Sequence, residues 1–200
     1  MQHRLWNLHH QCSVRDVERS DLDPFAKMLV PAYLDTAAYS RWFRDEYGTP
    51  PTQFDKIHHL RSFVGAKVTQ HDRYTLGEAF HDYGRIEITD EETDQRFLLR
   101  SQGAVSIEQA KAQGRLFTAT YLKSPVTLVV FQFGRTGLDL AIAGTRQLVG
   151  KQRLEPSGPP IPVGTWALAL DAETPFEQGA GDAFDELGGM SIEKDETGEQ

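Results

Sequence analysis

Apolar residues in the first half of the chain recur at the spacing of amphipathic helices. Between residues 53 and 69 they lie three or four positions apart, which predicts one helix over that range. Its apolar stripe consists of Phe54, Ile57, Leu60, Val64 and Val68.

An aromatic stripe precedes that helix. Asp23-Pro24 predicts a helix start, because Asp caps free amides and Pro tolerates the first helical position. Pro31 is expected to interrupt or kink this helix, and a second run is predicted from residue 32 to residue 47, ended by Gly48. The run has Arg41 and Arg44 beside the aromatic residues Tyr33, Tyr39, Trp42, Phe43 and Tyr47. Such a face is typical of a core or subunit contact, and its exposure would favour self-association.

Alternating positions replace the helical spacing after Gly84. Thr75 and Glu78 have the spacing of a capping box, which predicts one more helix before that change. Beyond it, residues 85–88 and 96–99 are predicted to form a hairpin around the acidic turn 90–94.

Further strands are predicted in the second half of the chain. Residues 116–122 and 126–133 carry the strongest strand patterns, and the second is apolar on both faces, which favours a central place in the sheet. A short helix is predicted over residues 107–113. Residues 138–149 fit a helix or a strand, and the strand is favoured because Gly144 and Gly150 weaken a helix. A last strand is predicted from Thr165 to Leu170.

Helices followed by strands are typical of the α+β class. The sequence therefore predicts N-terminal helices followed by a mostly antiparallel β-sheet or small barrel. Residues 1–170 are interpreted as a single domain, helical over about 21–83 and β-rich over about 84–170. Residues 171–200 are interpreted as a disordered acidic C-terminal tail, because Gly, Glu and Asp dominate them.

Charge is distributed unevenly along the 200 residues. The net charge of −8 includes −4 for residues 1–110, +6 for residues 111–154 and −9 for residues 171–200. No run of 18 apolar residues is present, the first residues are polar, and Cys12 is the one cysteine. These features predict a cytoplasmic protein without a membrane span, a signal peptide or an intrachain disulfide.

The basic segment contains the leading candidate site. Single-stranded nucleic acid is bound by cations that contact phosphates and by aromatic rings that stack on bases. The candidate phosphate ligands are Arg115, Lys123, Arg135, Arg146, Lys151 and Arg153, and the candidate stacking residues are Tyr121 and Phe133. The competing interpretation is that the rings belong to the core and the cations to a solvated face.

The acidic tail carries apolar residues between its acids. Segments of this kind dock in basic grooves of protein partners, or act only as solubilising chain. The candidate anchors are Phe176, Phe184, Leu187, Met190 and Ile192. The tail could also compete with phosphates for the basic segment.

Histidines beside acids provide an enzymatic alternative. Imidazole and carboxylate groups together can hold a divalent ion that activates water. The candidate ligands are His58, His71, Asp72, His81 and Asp82.

Common catalytic and nucleotide-binding motifs are absent from the sequence, including the phosphate-binding loop, G-x-S-x-G, H-E-x-x-H and cysteine-based zinc patterns. The sequence therefore predicts a non-enzymatic protein that binds nucleic acid or another polyanion without a cofactor. One alternative is a metal-dependent hydrolase. Another is an assembly component or inhibitor that binds only protein. Oligomeric state stays open.

Overall fold

A computed structural model describes residues 17–78, 80, 85–113, 120–149 and 154–168 of the chain. The α-helices whose bounds are described are α1 (Asp23–Tyr47), α2 (Gln53–Thr69) and α3 (Gln102–Gln113), and a short 3-10 helix (Arg19–Leu22) precedes α1. The strands are β1 (Tyr74–Leu76), β2 (Glu87–Asp90), β3 (Gln95–Ser101), β4 (Tyr121–Phe133), β5 (Gly137–Leu148), β6 (Leu154–Pro156) and β7 (Ile161–Ala167). N-terminal helices followed by a mostly antiparallel sheet confirm the predicted α+β class.

Helix α1 is continuous through Pro31, so the predicted interruption is wrong. A proline inside a helix removes one backbone hydrogen bond. Burial of Met28, Leu29, Ala32 and Tyr33 on both sides of Pro31 outweighs that cost. The helix starts at Asp23 and ends before Gly48, which has a left-handed φ of 72°, as the sequence predicts.

Helix α2 has the boundaries that its sequence predicts. The hydroxyl of Thr52 accepts a hydrogen bond from the Asp55 backbone amide at 3.2 Å, and the Asp55 carboxylate accepts one from the Thr52 amide at 3.1 Å. This reciprocal cap satisfies two amides at the helix start. An ion pair of 2.8 Å between Lys67 and Asp35 joins α2 to α1.

The sheet is open, with the strand order β1-β2-β3-β4-β5-β6 and with β7 also paired to β5. The predicted hairpin is formed by β2 and β3, and β4 lies in the centre as expected. Residues 137–148 form a strand, which confirms the prediction of a strand instead of a helix for that segment. Strands β3 and β4 are parallel and are connected through α3.

Several boundaries differ from the sequence-based expectations. The two strands predicted over residues 116–122 and 126–133 form one strand, β4, from Tyr121 to Phe133, and residues 116–119 lie outside the described residues. Tyr74–Leu76 forms a strand because Thr75 pairs with Thr89 of β2, so the predicted helix start at Thr75 is wrong. Helix α3 begins at Gln102, five residues early, where the Ser101 hydroxyl accepts from the Ala104 amide at 3.4 Å. Strand β7 begins at Ile161 instead of Thr165, because it pairs with β5 from Ile142 onward.

Both faces of the central strand are buried. Val129 and Phe131 pack in the core shared with α1 and α2. Leu128 and Val130 point to the opposite face and pack with Val105 of α3. A helix layer on each side explains why β4 is apolar at consecutive positions.

Trp166 connects β7 to the start of α1. Its Nε1 donates a hydrogen bond of 2.8 Å to the carboxylate of Asp23, so Asp23 binds a distant side chain instead of capping its own helix. The Arg19 guanidinium lies 5.1 Å from the centre of the Trp166 ring and donates to the Thr165 carbonyl at 2.9 Å. These contacts fasten the first described residues to the sheet.

Replacement of this indole tests the connection. Trp166→Phe is expected to lower the free energy of unfolding by about 1–2 kcal/mol, because a hydrogen bond to a charged group is lost. The measurement is urea denaturation of the full chain. Trp42→Phe is the matched control, because Trp42 is 53% exposed and forms no such bond. Equal unfolding midpoints for the two variants would contradict the role of Trp166.

Candidate binding surfaces

One end of the β4–β5 ladder brings three of the predicted polyanion ligands together. Tyr121, Lys123 and Arg146 lie there, and this group is called the basic arm below. Lys123 pairs directly with Arg146, and Tyr121 pairs with Leu148. Within β4, the residues that pair with β3 are 127–131. The basic arm therefore extends beyond the end of the β3–β4 ladder.

A bulge separates the basic arm from the rest of β4. The register shifts between Ser124 and Thr127, and the Thr145 hydroxyl donates to the Val126 carbonyl at 2.6 Å. Bulges commonly redirect side chains near the end of a ladder. Here the bulge shifts the alternation of side chains along β4, and this shift determines on which face of the sheet Lys123 and Arg146 lie.

The basic arm places two cations next to each other. Cross-strand partners share one face of the sheet, so two cations lie side by side, an arrangement that is destabilising. The Arg146 guanidinium lies 3.9 Å from the centre of the Tyr121 ring, and its buried Nε has no hydrogen-bond partner. Glu155 is the neighbour of Arg146 on β6 and is buried.

The other polyanion candidates are placed differently. Arg135 is exposed in the turn between β4 and β5, at the opposite end of the ladder. The ten steps from Lys123 to Phe133 correspond to about 33 Å of strand. Arg115, Lys151 and Arg153 lie outside the described residues. Lys151 and Arg153 belong to the connection between Leu148 and Leu154, whose two ends flank Arg146.

Phe133 is occupied by a core contact. Its ring stacks on Tyr33 of α1, with the ring centroids 4.1 Å apart. Burial raises the pKa of Tyr33. Tyr33 covers one face of the Phe133 ring, which packs against the core, whereas Tyr121 lies beside the cations Lys123 and Arg146 and is therefore the better-placed stacking candidate.

The metal candidates are not brought together among the described residues. His58 lies on α2, whereas His71 and Asp72 follow the end of that helix. Thr69 lies eleven helical steps after His58, which corresponds to about 17 Å along the helix axis. No group of three His, Cys, Asp or Glu that could hold a metal ion occurs in the part of the chain that the structure describes. His81 and Asp82 lie outside that part, as do all five tail anchors.

A second surface forms where α1 ends and α2 begins. It is called the aromatic tip below and consists of Tyr39, Trp42, Phe43 and Tyr47 of α1 with Phe54, His58, His59 and Phe63 of α2. Buried residues of α1 end at Ala37, so this end of the helix is covered much less than its start. Phe54 is 52% exposed, although the sequence places it in the same stripe as the buried Ile57.

His59 joins the two halves of the aromatic tip. Its ring lies 3.6 Å from that of Tyr39 and 6.0 Å from that of Phe63. Tyr39 of α1 covers part of the His59 ring, so this side chain is half-buried. Burial lowers the pKa of His59, with a further lowering from His58, whereas Asp55 opposes the change.

Sequence reasoning missed Glu155 beside the basic arm and the exposure of Phe54. Glu155 was not singled out because its nearness to Arg146 depends on the pairing of β5 with β6.

The chain matches no protein-family model, no curated protein and no solved structure. No helix in the described ranges is long and apolar enough to cross a bilayer.

Proposed function

We propose that the protein is a non-enzymatic binding protein that contacts nucleic acid or another polyanion through the basic arm. The observation that carries this proposal is the like-charged pair of Lys123 and Arg146 on one face of the sheet. A phosphate between the two side chains would remove their repulsion and would accept hydrogen bonds from the guanidinium.

Tyr121 favours single-stranded nucleic acid within this class of ligand. The guanidinium of Arg146 covers one face of the tyrosine ring at 3.9 Å. Bases stack on aromatic rings and on guanidinium planes alike. The basic arm therefore combines phosphate ligands with planar groups.

The acidic tail enters the proposal as a competitor for the basic arm or as a dock for a protein partner. Its charge of −9 is opposite in sign to that of the arm. The tail follows Leu168, whose amide donates to the Thr136 carbonyl at 3.0 Å, at the far end of β5 from Arg146. Competition therefore requires a span of about 30 Å, which matches the average reach of a flexible chain of about 30 residues.

Binding of a labelled single-stranded oligonucleotide tests the proposal by fluorescence anisotropy. The Lys123→Ala/Arg146→Ala double variant is expected to bind at least about tenfold more weakly at low salt, because two phosphate contacts are lost. The dependence of log K on log salt should become shallower by about one to two. A chain ending at Asp171 should bind more tightly if the tail competes.

Controls separate the basic arm from general electrostatics. Lys27→Ala removes an exposed cation on α1 and should leave binding within about twofold. The Arg135→Ala variant tests whether the turn between β4 and β5 also contributes to nucleic-acid binding. Equal affinity of the double variant and the natural chain would refute the basic arm as the site, and salt-independent binding would refute the polyanion class.

The alternatives from the sequence have distinct outcomes in the same series. Stoichiometric divalent metal in the purified protein, lost in His81→Ala, would favour the hydrolase. Absence of any nucleic-acid binding, together with a partner captured only when the tail is present, would favour a protein that binds only protein.

A further inference from the structure

The most exposed aromatic side chains of the described structure are concentrated on the aromatic tip. Trp42, Tyr47 and Phe54 are 53%, 60% and 52% exposed. Large aromatic rings lose favourable free energy when they remain in water, and Trp and Tyr dominate the energetics of protein interfaces. We propose that the aromatic tip is the contact surface between two copies of this chain. This inference does not depend on polyanion binding by the basic arm.

The charge of the aromatic tip fits a second copy better than a charged ligand. Residues 39–63, which contain the whole aromatic tip, hold four basic and three acidic residues, and apart from the buried Arg61 their charges cancel. A nucleic-acid surface needs an excess of cations, and an acidic partner would need the same. Two neutral copies of one patch approach each other without local repulsion. Closed two-fold dimers use the same patch on both copies and are the commonest oligomers.

The rings hold one another in place before any partner arrives. Ring centroids are 4.6 Å apart for Phe43 and Tyr47, 5.9 Å for Tyr39 and Phe43, and 6.1 Å for Trp42 and Tyr47. His59 stacks against Tyr39 from α2 and thereby couples the two helices. Pre-ordered rings lose little freedom on association.

The available area predicts a weak dimer. An aromatic side chain contributes about 150–250 Å² when fully buried, so three half-exposed rings contribute about 300 Å² per copy. A standard stable interface buries about 800 Å² per partner. The rings thus supply more than a third of that area, with neighbouring polar residues as the rim. An interface below the standard size is expected to associate weakly, so the dimer should form only at high protein concentration.

Sedimentation velocity of the full chain at concentrations from about 1 to 200 µM tests this interface. The weight-average mass is expected to rise from 22.5 kDa toward twice that value. The Trp42→Ala/Tyr47→Ala variant should weaken association at least about tenfold. Both positions are exposed, so its circular dichroism melting curve should match that of the natural chain.

A matched variant and a salt series distinguish this interface from others. Leu122→Ala removes a side chain that is 60% exposed near the basic arm and should leave the dimer unchanged. Association through aromatic rings should persist in high salt, whereas association of acidic tails with basic arms should disappear. A mass of 22.5 kDa at every concentration would overturn the inference. Unchanged association of the tip variant, or association abolished by salt, would also overturn it.

Discussion

The Phe25→Ala variant is expected to lose about 3–5 kcal/mol of unfolding free energy, the largest loss among the substitutions considered. Phe25 is 2% exposed in the core shared by α1 and the sheet. Its ring meets Phe97 of β3 edge-on at 4.8 Å and Tyr74 of β1 at 6.2 Å. Alanine would remove both contacts and leave a cavity. Urea denaturation followed by circular dichroism measures the loss.

Phe54→Ala is the matched control, because the same change is made on the neighbouring helix. Its ring is 52% exposed and stacks only on the exposed His58, at 6.4 Å. The expected change in unfolding free energy is within about 0.5 kcal/mol, as for other surface positions. Similar losses for the two variants would mean that α1 does not pack on the sheet as described.

The Asp90→Asn variant is expected to lose about 2 kcal/mol near neutral pH. Asp90 is 4% exposed, and its carboxylate accepts hydrogen bonds from Arg73 Nε at 2.8 Å and Nη2 at 2.6 Å. Breaking a fully buried ion pair costs about 3–5 kcal/mol. The expected loss is smaller here because the Arg73 side chain is 42% exposed and stays partly hydrated.

The stabilisation by Asp90 should depend on pH. Burial alone would raise the pKa of Asp90, but the hydrogen bonds from Arg73 and from the Glu92 amide outweigh it and hold the pKa below its usual value. The pKa of Asp90 is lower in the folded state than in the unfolded state, where it is about 3.9. The stabilisation is therefore complete above about pH 3.9, and it disappears as the pH falls through the pKa of the folded state. The difference between the natural chain and Asp90→Asn should therefore be constant from about pH 5 to 8 and shrink below about pH 4.

A second carboxylate on the same arginine provides the control. Glu92 pairs with Arg73 at 3.0 Å, and its side chain is 66% exposed. Glu92→Gln is expected to change the unfolding free energy by less than about 0.5 kcal/mol, because solvent screens an exposed pair. A loss equal to that of Asp90→Asn, or a pH-independent difference for Asp90→Asn, would contradict the role of burial.

Helix α2 and strand β4 were predictable because their signals are local. The Thr52–Asp55 cap and the spacing of Ile57, Leu60 and Val64 lie within a few turns of one another. The apolar positions on both faces of β4 already required cover on each side. The same reasoning failed at Thr75, where the capping pattern is local but pairing with Thr89, fourteen residues away, decides the structure.

The candidate surfaces were predictable only in part. Composition singled out Tyr121, Phe133 and the cations, but the structure brings Lys123 and Arg146 together, takes Phe133 into the core and leaves Arg135 at the other end of the ladder. Helical spacing grouped Phe54 with Ile57, although only Ile57 is buried. Spacing reports which residues share a face, whereas burial depends on where the neighbouring helix ends.

The sequence by itself determined the α+β class, the start and end of α2, the hairpin of β2 and β3, and the central place of β4. Those features depend on capping, periodicity and turn residues, which act over a few positions of the chain. Only the tertiary structure decided that Lys123 faces Arg146, that α1 runs through Pro31, and that Trp42, Tyr47 and Phe54 stay exposed. Strand register and burial result from contacts between residues far apart in the chain, and no local pattern encodes them.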